Sequence, residues 1–269
     1  DLLAQAERAW VWAAADTTDA YRNAGVAYAA LSWPRTLFWA AAELWEGTGA
    51  ERYRRHLEEH REDPQIWRST WKDAAIIPLL HWSVAKVQRP GLPAGMQDAA
   101  KAAILAAASG ARNSIERPSY RLSARPDGAG GWGSLAGGAE PGTLLLLAWR
   151  LTGDAAWLDA ASLGADYQLG CNPLGRSFIS RIGAHPPERP QLRPWLYDAD
   201  RRPSPGVPIY GPGGGPKAMR DPYPAEVPPW RCYQDNASSS TIHSEFDVVR
   251  QQGMAAFYAM LWGAAAGGK

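Results

Sequence analysis

The sequence is short of cysteine, of phenylalanine and of net charge. Its two cysteines among 269 residues, Cys171 and Cys232, cannot build a disulfide framework or a four-cysteine zinc site. They allow one bridge or two separate thiols. Lys plus Arg number 28 and Asp plus Glu 27, a net charge of +1. With no basic run or stripe, the chain lacks the field that draws in nucleic acid or an anionic membrane. No apolar stretch reaches the roughly 18 uncharged residues of a membrane span. The glycine-rich stretch Gly128–Gly131 lacks the Gly-Lys-Ser/Thr ending of a phosphate loop, and there is no Gly-x-Ser-x-Gly nucleophile motif. Nor is there a signal-peptide pattern. The chain opens directly on a helical pattern and reads as a mature or truncated piece of something longer.

What is present is a hydrophobic fraction of 46%, enough to fill a core, and 14 Trp against 4 Phe. Trp suits a core, and its flat face also suits stacking on sugar rings. The first half is helical in pattern. Apolar residues recur at helical spacing over 2–15. Pro34 opens a second helix that stops at Thr48-Gly49, and 51–62 is charged and amphipathic. Pro64 starts a pattern through Trp67, Ile77, Leu80 and Val84, and Pro93 another to about Ala111. Trp45, Thr48, Gly49 and Tyr53 recur as Trp149, Thr152, Gly153 and Trp157. A repeated helix, Thr-Gly stop and helix implies stacked helical hairpins, as a solenoid or a closed toroid.

From Gly170 the character changes. About 70 residues dense in Pro and Gly, too long for an ordinary connection, form an irregular segment before a final helix over 244–266. Its many aromatics favour an ordered functional loop on a helical scaffold. Phe178–Ile182 is the best strand signal. Glu245 sits where this segment gives way to the last helix, with Ser244 as a candidate N-cap. An acid catalyst there needs burial or a neighbouring carboxylate such as Asp247 to keep its proton against the helix dipole. Tyr233, Asp235 and Asn236 lie shortly before it and can form a polar cluster or ordinary turns. His185 and His243 lack local metal-ligand spacing and are assigned hydrogen-bonding roles. Arg176, Arg181, Arg189 and Arg193 can bind sugar hydroxyls or staple the loop to acids.

The run Tyr167-Gln168-Leu169-Gly170-Cys171-Asn172-Pro173-Leu174-Gly175-Arg176-Ser177 resembles a signature of glycoside hydrolase family 9, the inverting endoglucanase and cellobiosidase family. His185-Pro186-Pro187-Glu188-Arg189-Pro190, Gly206–Pro212, Tyr233-Gln234-Asp235-Asn236, Ser244-Glu245 and, upstream, Trp132-Gly133-Ser134 are similar to further family stretches in the same order. The resemblance covers nearly the whole chain. It implies an all-α fold, an (α/α)6 toroid, present here as a partial, C-terminal barrel with a long irregular active-site loop. It implies Glu245 as general acid, with Arg193, Tyr233, Asp235, Trp132, His185 and Arg176 binding a β-1,4-linked glycan. It requires no cofactor. Structural calcium occurs in the family, but no ligand cluster for it is visible. No nucleic-acid or membrane partner is expected, and a polymeric substrate implies a secreted or periplasmic protein.

Several positions depart from the family. Gln191-Leu192 replace a His-His pair before Arg193, and Leu135 replaces an Asn. Nothing matches the motif that supplies the general base: Asp16-Thr17-Thr18-Asp19 has its spacing but the wrong context. The expectation is therefore the C-terminal part of a catalytic domain, with the base in a missing N-terminal part. Such a piece should be inactive alone, and marginally stable or aggregation-prone, because a half toroid exposes faces its neighbours cover. The alternatives are a non-catalytic carbohydrate-binding relic of the same fold, a hydrolase for another β-linked sugar such as a glucosamine polymer, and an unrelated helical scaffold for protein binding.

Overall fold

The computed structural model describes residues 1–15, 33–67, 77–115, 120–121, 139–191, 202–213, 227–235, 241–245 and 248–267. Its regular elements are helices: α1 (Leu2–Ala14), α2 (Trp33–Thr48), α3 (Glu51–His60), α4 (Pro64–Trp67), α5 (Ile77–Ala85), α6 (Met96–Ile115), α7 (Ala139–Thr152), α8 (Ala155–Leu169), α9 (Thr241–Ser244) and α10 (Val248–Ala265), with a 3-10 turn at Pro229–Arg231. They fall into two compact units, Asp1–Ile104 and Leu105–Lys269, with α6 running through the division.

The first unit is held by aromatic and polar contacts between hairpins. Trp10 of α1 meets Tyr53 edge-on, ring centroids 5.2 Å apart, and His56 at 5.0 Å. The Tyr53 hydroxyl donates to Glu7 at 3.1 Å. Phe38 of α2 packs against Trp67 at 5.3 Å, and His81 of α5 stacks on the same indole at 5.0 Å. Burial drives the His81 pKa down to about 4, and burial with the nearby His60 does the same to His56.

The second unit is built on the α7–α8 hairpin. Leu145, Leu146 and Ala148 of α7 face Ala161 and Ala165 of α8, and Phe257 of α10 closes over them. The Phe257 ring seats against Gly142, where a Cβ would come within 2.5 Å of it. A smaller cluster of Tyr167, Phe178, Ile209 and Tyr233 joins the end of α8 to the irregular segment.

The repeat seen in the sequence is a repeated helix exit. Thr48 Oγ1 donates to the Leu44 carbonyl at 2.7 Å and accepts from the Ala50 amide at 3.1 Å. Thr152 Oγ1 does the same with Ala148 at 2.8 Å and Asp154 at 3.2 Å. Gly49 and Gly153 follow at φ +67° and +73°, the left-handed conformation that ends a helix.

Three boundaries differ from the sequence expectation. The helix assigned to Pro93 begins at Met96, after a turn in which the Met96 amide bonds the Pro93 carbonyl at 3.1 Å. Phe178–Ile182 forms only an isolated antiparallel bridge, Ile179 with Pro208. Pro208 has no amide to extend a ladder, which confines the pairing. The last helix starts at Val248, and Glu245 lies outside both α9 and α10. Glu245 is therefore not a first-turn helix residue, and Ser244 belongs to α9 instead of capping α10.

Candidate active site

The segment after α8 is ordered by its own hydrogen bonds. Gly170 ends the helix at φ 139°, and the Cys171 amide reaches back to the Asp166 carbonyl at 2.8 Å. Asn172 then folds the Asn-Pro-Leu-Gly-Arg turn around its side chain. Its Nδ2 donates to the carbonyls of Tyr167 and Arg176, both at 2.7 Å, while Oδ1 accepts from the Leu174 amide at 3.0 Å. Gly175 supplies φ +59°. Gly183 is tighter still: at φ +78° a Cβ would lie 2.9 Å from the Leu169 carbonyl and from Ser177 Cβ.

The turn delivers Arg176 to the centre of a polar cluster. Its guanidinium lies over the Tyr233 ring at 4.6 Å and pairs with Asp235 at 3.3 Å. The Asp235 carboxylate also accepts from the amides of Glu188 at 2.7 Å and Arg189 at 3.0 Å. Burial pushes the Tyr233 phenol well above its usual range, Asp235 adds to the effect and Arg176 opposes it. Tyr233 is therefore a neutral hydroxyl at any working pH. Arg176 Nε is buried without a hydrogen-bond partner among the described residues, and the buried Tyr233 hydroxyl faces the Asp235 carboxylate.

Glu245 is held by its backbone. Its carbonyl accepts from the Tyr210 amide at 3.0 Å, the His243 carbonyl from Gly211 at 3.0 Å, and the Ser244 carbonyl from Gln191 at 2.8 Å. The His243 ring is a buried bracket. Nδ1 accepts from the Gln234 amide at 3.3 Å, so Nε2 carries the proton and donates to the Gly213 carbonyl at 2.9 Å. Burial lowers the His243 pKa, the Gly213 bond opposing, and favours this neutral form. Glu245 itself is half-buried.

Arg176, Tyr233 and Asp235 thus converge directly, and Glu245 joins them through the 186–191 segment. His185 is exposed in a left-handed turn at φ +45° and sits one residue before Pro186, whose carbonyl accepts from Arg176 at 3.5 Å. Trp132 and Arg193 lie outside the described residues, as do Leu135, Asn236 and Asp247. Both cysteines are free, Cys171 exposed and Cys232 buried. Among the described residues no three His, Cys, Asp or Glu side chains are grouped to hold a metal, and no residue is assigned to calcium. Sequence reasoning missed the role of the 207–213 backbone, because amides of Tyr210 and Gly211 carry no side-chain signal.

Comparison with known proteins identifies the family and the fold. The model of glycosyl hydrolase family 9 matches residues 1–255. The chain belongs to glycosyl hydrolase family 9. It is 28% identical over 232 residues to a cellulose 1,4-beta-cellobiosidase of Acetivibrio thermocellus, covering 75% of this chain and 25% of that protein. It is 28% identical over 181 residues to a xyloglucan-specific endo-beta-1,4-glucanase of Bacteroides ovatus, covering 66% of this chain and 30% of that protein. A metagenome-derived family 9 endoglucanase of known structure superposes with a TM-score of 0.73 at 25% identity, over 94% of this chain and 46% of that one. The fold is that of these enzymes, an all-α (α/α)6 barrel of which this chain is a part. The chain spans a quarter to a third of the two curated relatives. Among the described residues no helix is long and apolar enough to cross a membrane.

Proposed function

We propose that this chain is the acid-bearing part of an inverting β-1,4-glycan hydrolase, acting on cellulose-like β-glucan outside the cytoplasm. Glu245 is its general acid, and a carboxylate in a missing N-terminal part of the domain is its base. In inverting hydrolysis the acid protonates the glycosidic oxygen while the base activates water on the opposite face, the two carboxyl groups about 6.5–9.5 Å apart. One observation carries the assignment: Glu245 sits on non-helical backbone, fixed through Tyr210 and, at its neighbours, through Gln191 and Gly211. A fixed backbone gives the carboxyl one position from which to deliver its proton. Arg193, Trp132 and His185 are the residues proposed to meet the glycan, with Tyr233 and Arg176 supporting them from the buried polar cluster.

A second reading, a carbohydrate-binding relic, draws on Gln191-Leu192, since Gln191 Oε1 is buried without a partner among the described residues. Release of reducing ends from soluble β-1,4-glucans by the full-length protein tests the hydrolase. Turnover supports it; binding without turnover selects the relic.

A further inference from the structure

The geometry points to Asp235 as a positioning residue for Glu245, acting through a relay of backbone bonds instead of touching the glycan. The inference rests on Glu245 being the proposed acid. Three N–H donors occupy the Asp235 carboxylate: Glu188 on Oδ2 at 2.7 Å, Arg189 on Oδ1 at 3.0 Å and Arg176 Nη2 on Oδ2 at 3.3 Å. Arg176 is itself fixed by the Tyr233 face and by its own carbonyl, which receives Asn172 Nδ2. The carboxylate therefore clamps residues 188–189 to a rigid base. Two residues on, the Gln191 amide donates to the Ser244 carbonyl, the peptide that leads into Glu245.

Charge-assisted bonds to adjacent amides fix a peptide's direction as well as its position. The stretch 188–191 is a short strut with Pro190 inside it, and proline's fixed φ passes that direction on to Gln191. Asp235 thus sets where Ser244, and with it Glu245, is held. Three of the roughly four acceptor sites of the carboxylate are taken by the protein's own N–H donors.

Hydrogen exchange on this chain tests the relay without any activity. In Asp235→Asn one oxygen becomes an amide donor facing N–H groups, and at least one clamp bond is lost. Exchange should rise about tenfold or more at whichever of Glu188 and Arg189 faces the new amide group, as for a lost bond to a charged group. The relay predicts a parallel rise at Gln191 and Tyr210. Phe178, whose amide bonds Gln168 outside the relay, should keep its protection and reports that the variant is folded. A rise confined to Glu188 and Arg189 overturns the inference. In the full-length enzyme, Asp235→Asn should lower kcat with KM nearly unchanged; a raised KM at constant kcat would make Asp235 a substrate contact. If the wild-type enzyme shows no turnover, the hydrolase reading fails while the exchange result still decides the relay.

Discussion

Asn172→Ala is the perturbation from which the loop geometry predicts most. The Asn172 side chain is buried and makes three well-formed bonds. Its loss leaves the carbonyls of Tyr167 and Arg176 without that donor and the Leu174 amide without that acceptor. Each buried group left unpaired costs about 1–3 kcal/mol. Water can enter at the half-buried Leu174 and Arg176, so the sum is discounted to about 2–4 kcal/mol. Asn172→Asp separates the parts of this ledger. The carboxylate keeps the Leu174 bond but sets an anion against two carbonyl oxygens, so its folded-state pKa rises above the ordinary value of about 3.9. A raised folded pKa gives stability below the unfolded pKa that is lost as pH rises through the folded one. The Asp variant should therefore be least stable relative to wild type near neutral pH and recover part of the deficit near pH 4. Urea unfolding followed by Trp fluorescence at both pH values measures it. Deficits under 0.5 kcal/mol for Asn172→Ala, or an Asp deficit independent of pH, would refute the reasoning; ordinary surface substitutions lie within about that margin.

Four further outcomes follow from the packing. Gly183→Ala places a Cβ against the Leu169 carbonyl and Ser177 at left-handed φ, and should cost about 1–3 kcal/mol. Gly164→Ala, in open space on α8, should be neutral or stabilising by up to about 1 kcal/mol in the same melts. His81, held at about 4 by burial, has a folded pKa below its unfolded one. Its contribution is present above roughly pH 6.5 and is lost as pH falls toward 4, so His81→Gln should lose less stability than wild type across that window. A thiol reagent should label Cys171 alone in the native chain and both cysteines in denaturant. Cys232 is buried, its thiol pKa is raised by burial, and its sulfur donates to the Val227 carbonyl at 3.4 Å. Two fast thiols in the native state would contradict this packing.

The helices were legible in the sequence because apolar spacing and Thr-Gly exits are local signals. Thr48-Gly49 and Thr152-Gly153 act in the structure as their spacing implied. The turn at Asn172 was legible for a similar reason, since Asn, Pro and Gly each impose a backbone conformation on their neighbours. The start of α10 was not. Ser244-Glu245 looks like a capping pair, but bonds from Gln191, Tyr210 and Gly211, 32 to 53 residues away in the chain, hold residues 243–245 outside that helix. Long-range backbone bonding of this kind overrides a local cap and leaves no trace in residue types. Asp235 was legible as a site residue but not in its role, because substrate binding and backbone clamping use the same carboxylate. What separates them is the set of amides it faces, which only the fold brings together.

The central claim is that Glu245 delivers the proton. The direct measurement is reducing-end release from a soluble β-1,4-glucan by the full-length protein that carries these residues, wild type beside Glu245→Gln. The amide keeps the size and backbone bonds of Glu245 but has no proton to give. Loss of a general acid predicts a fall of about a hundredfold to ten-thousandfold in turnover, with glycan binding retained. A Glu245→Gln protein that hydrolyses glucan at near the wild-type rate would contradict the claim.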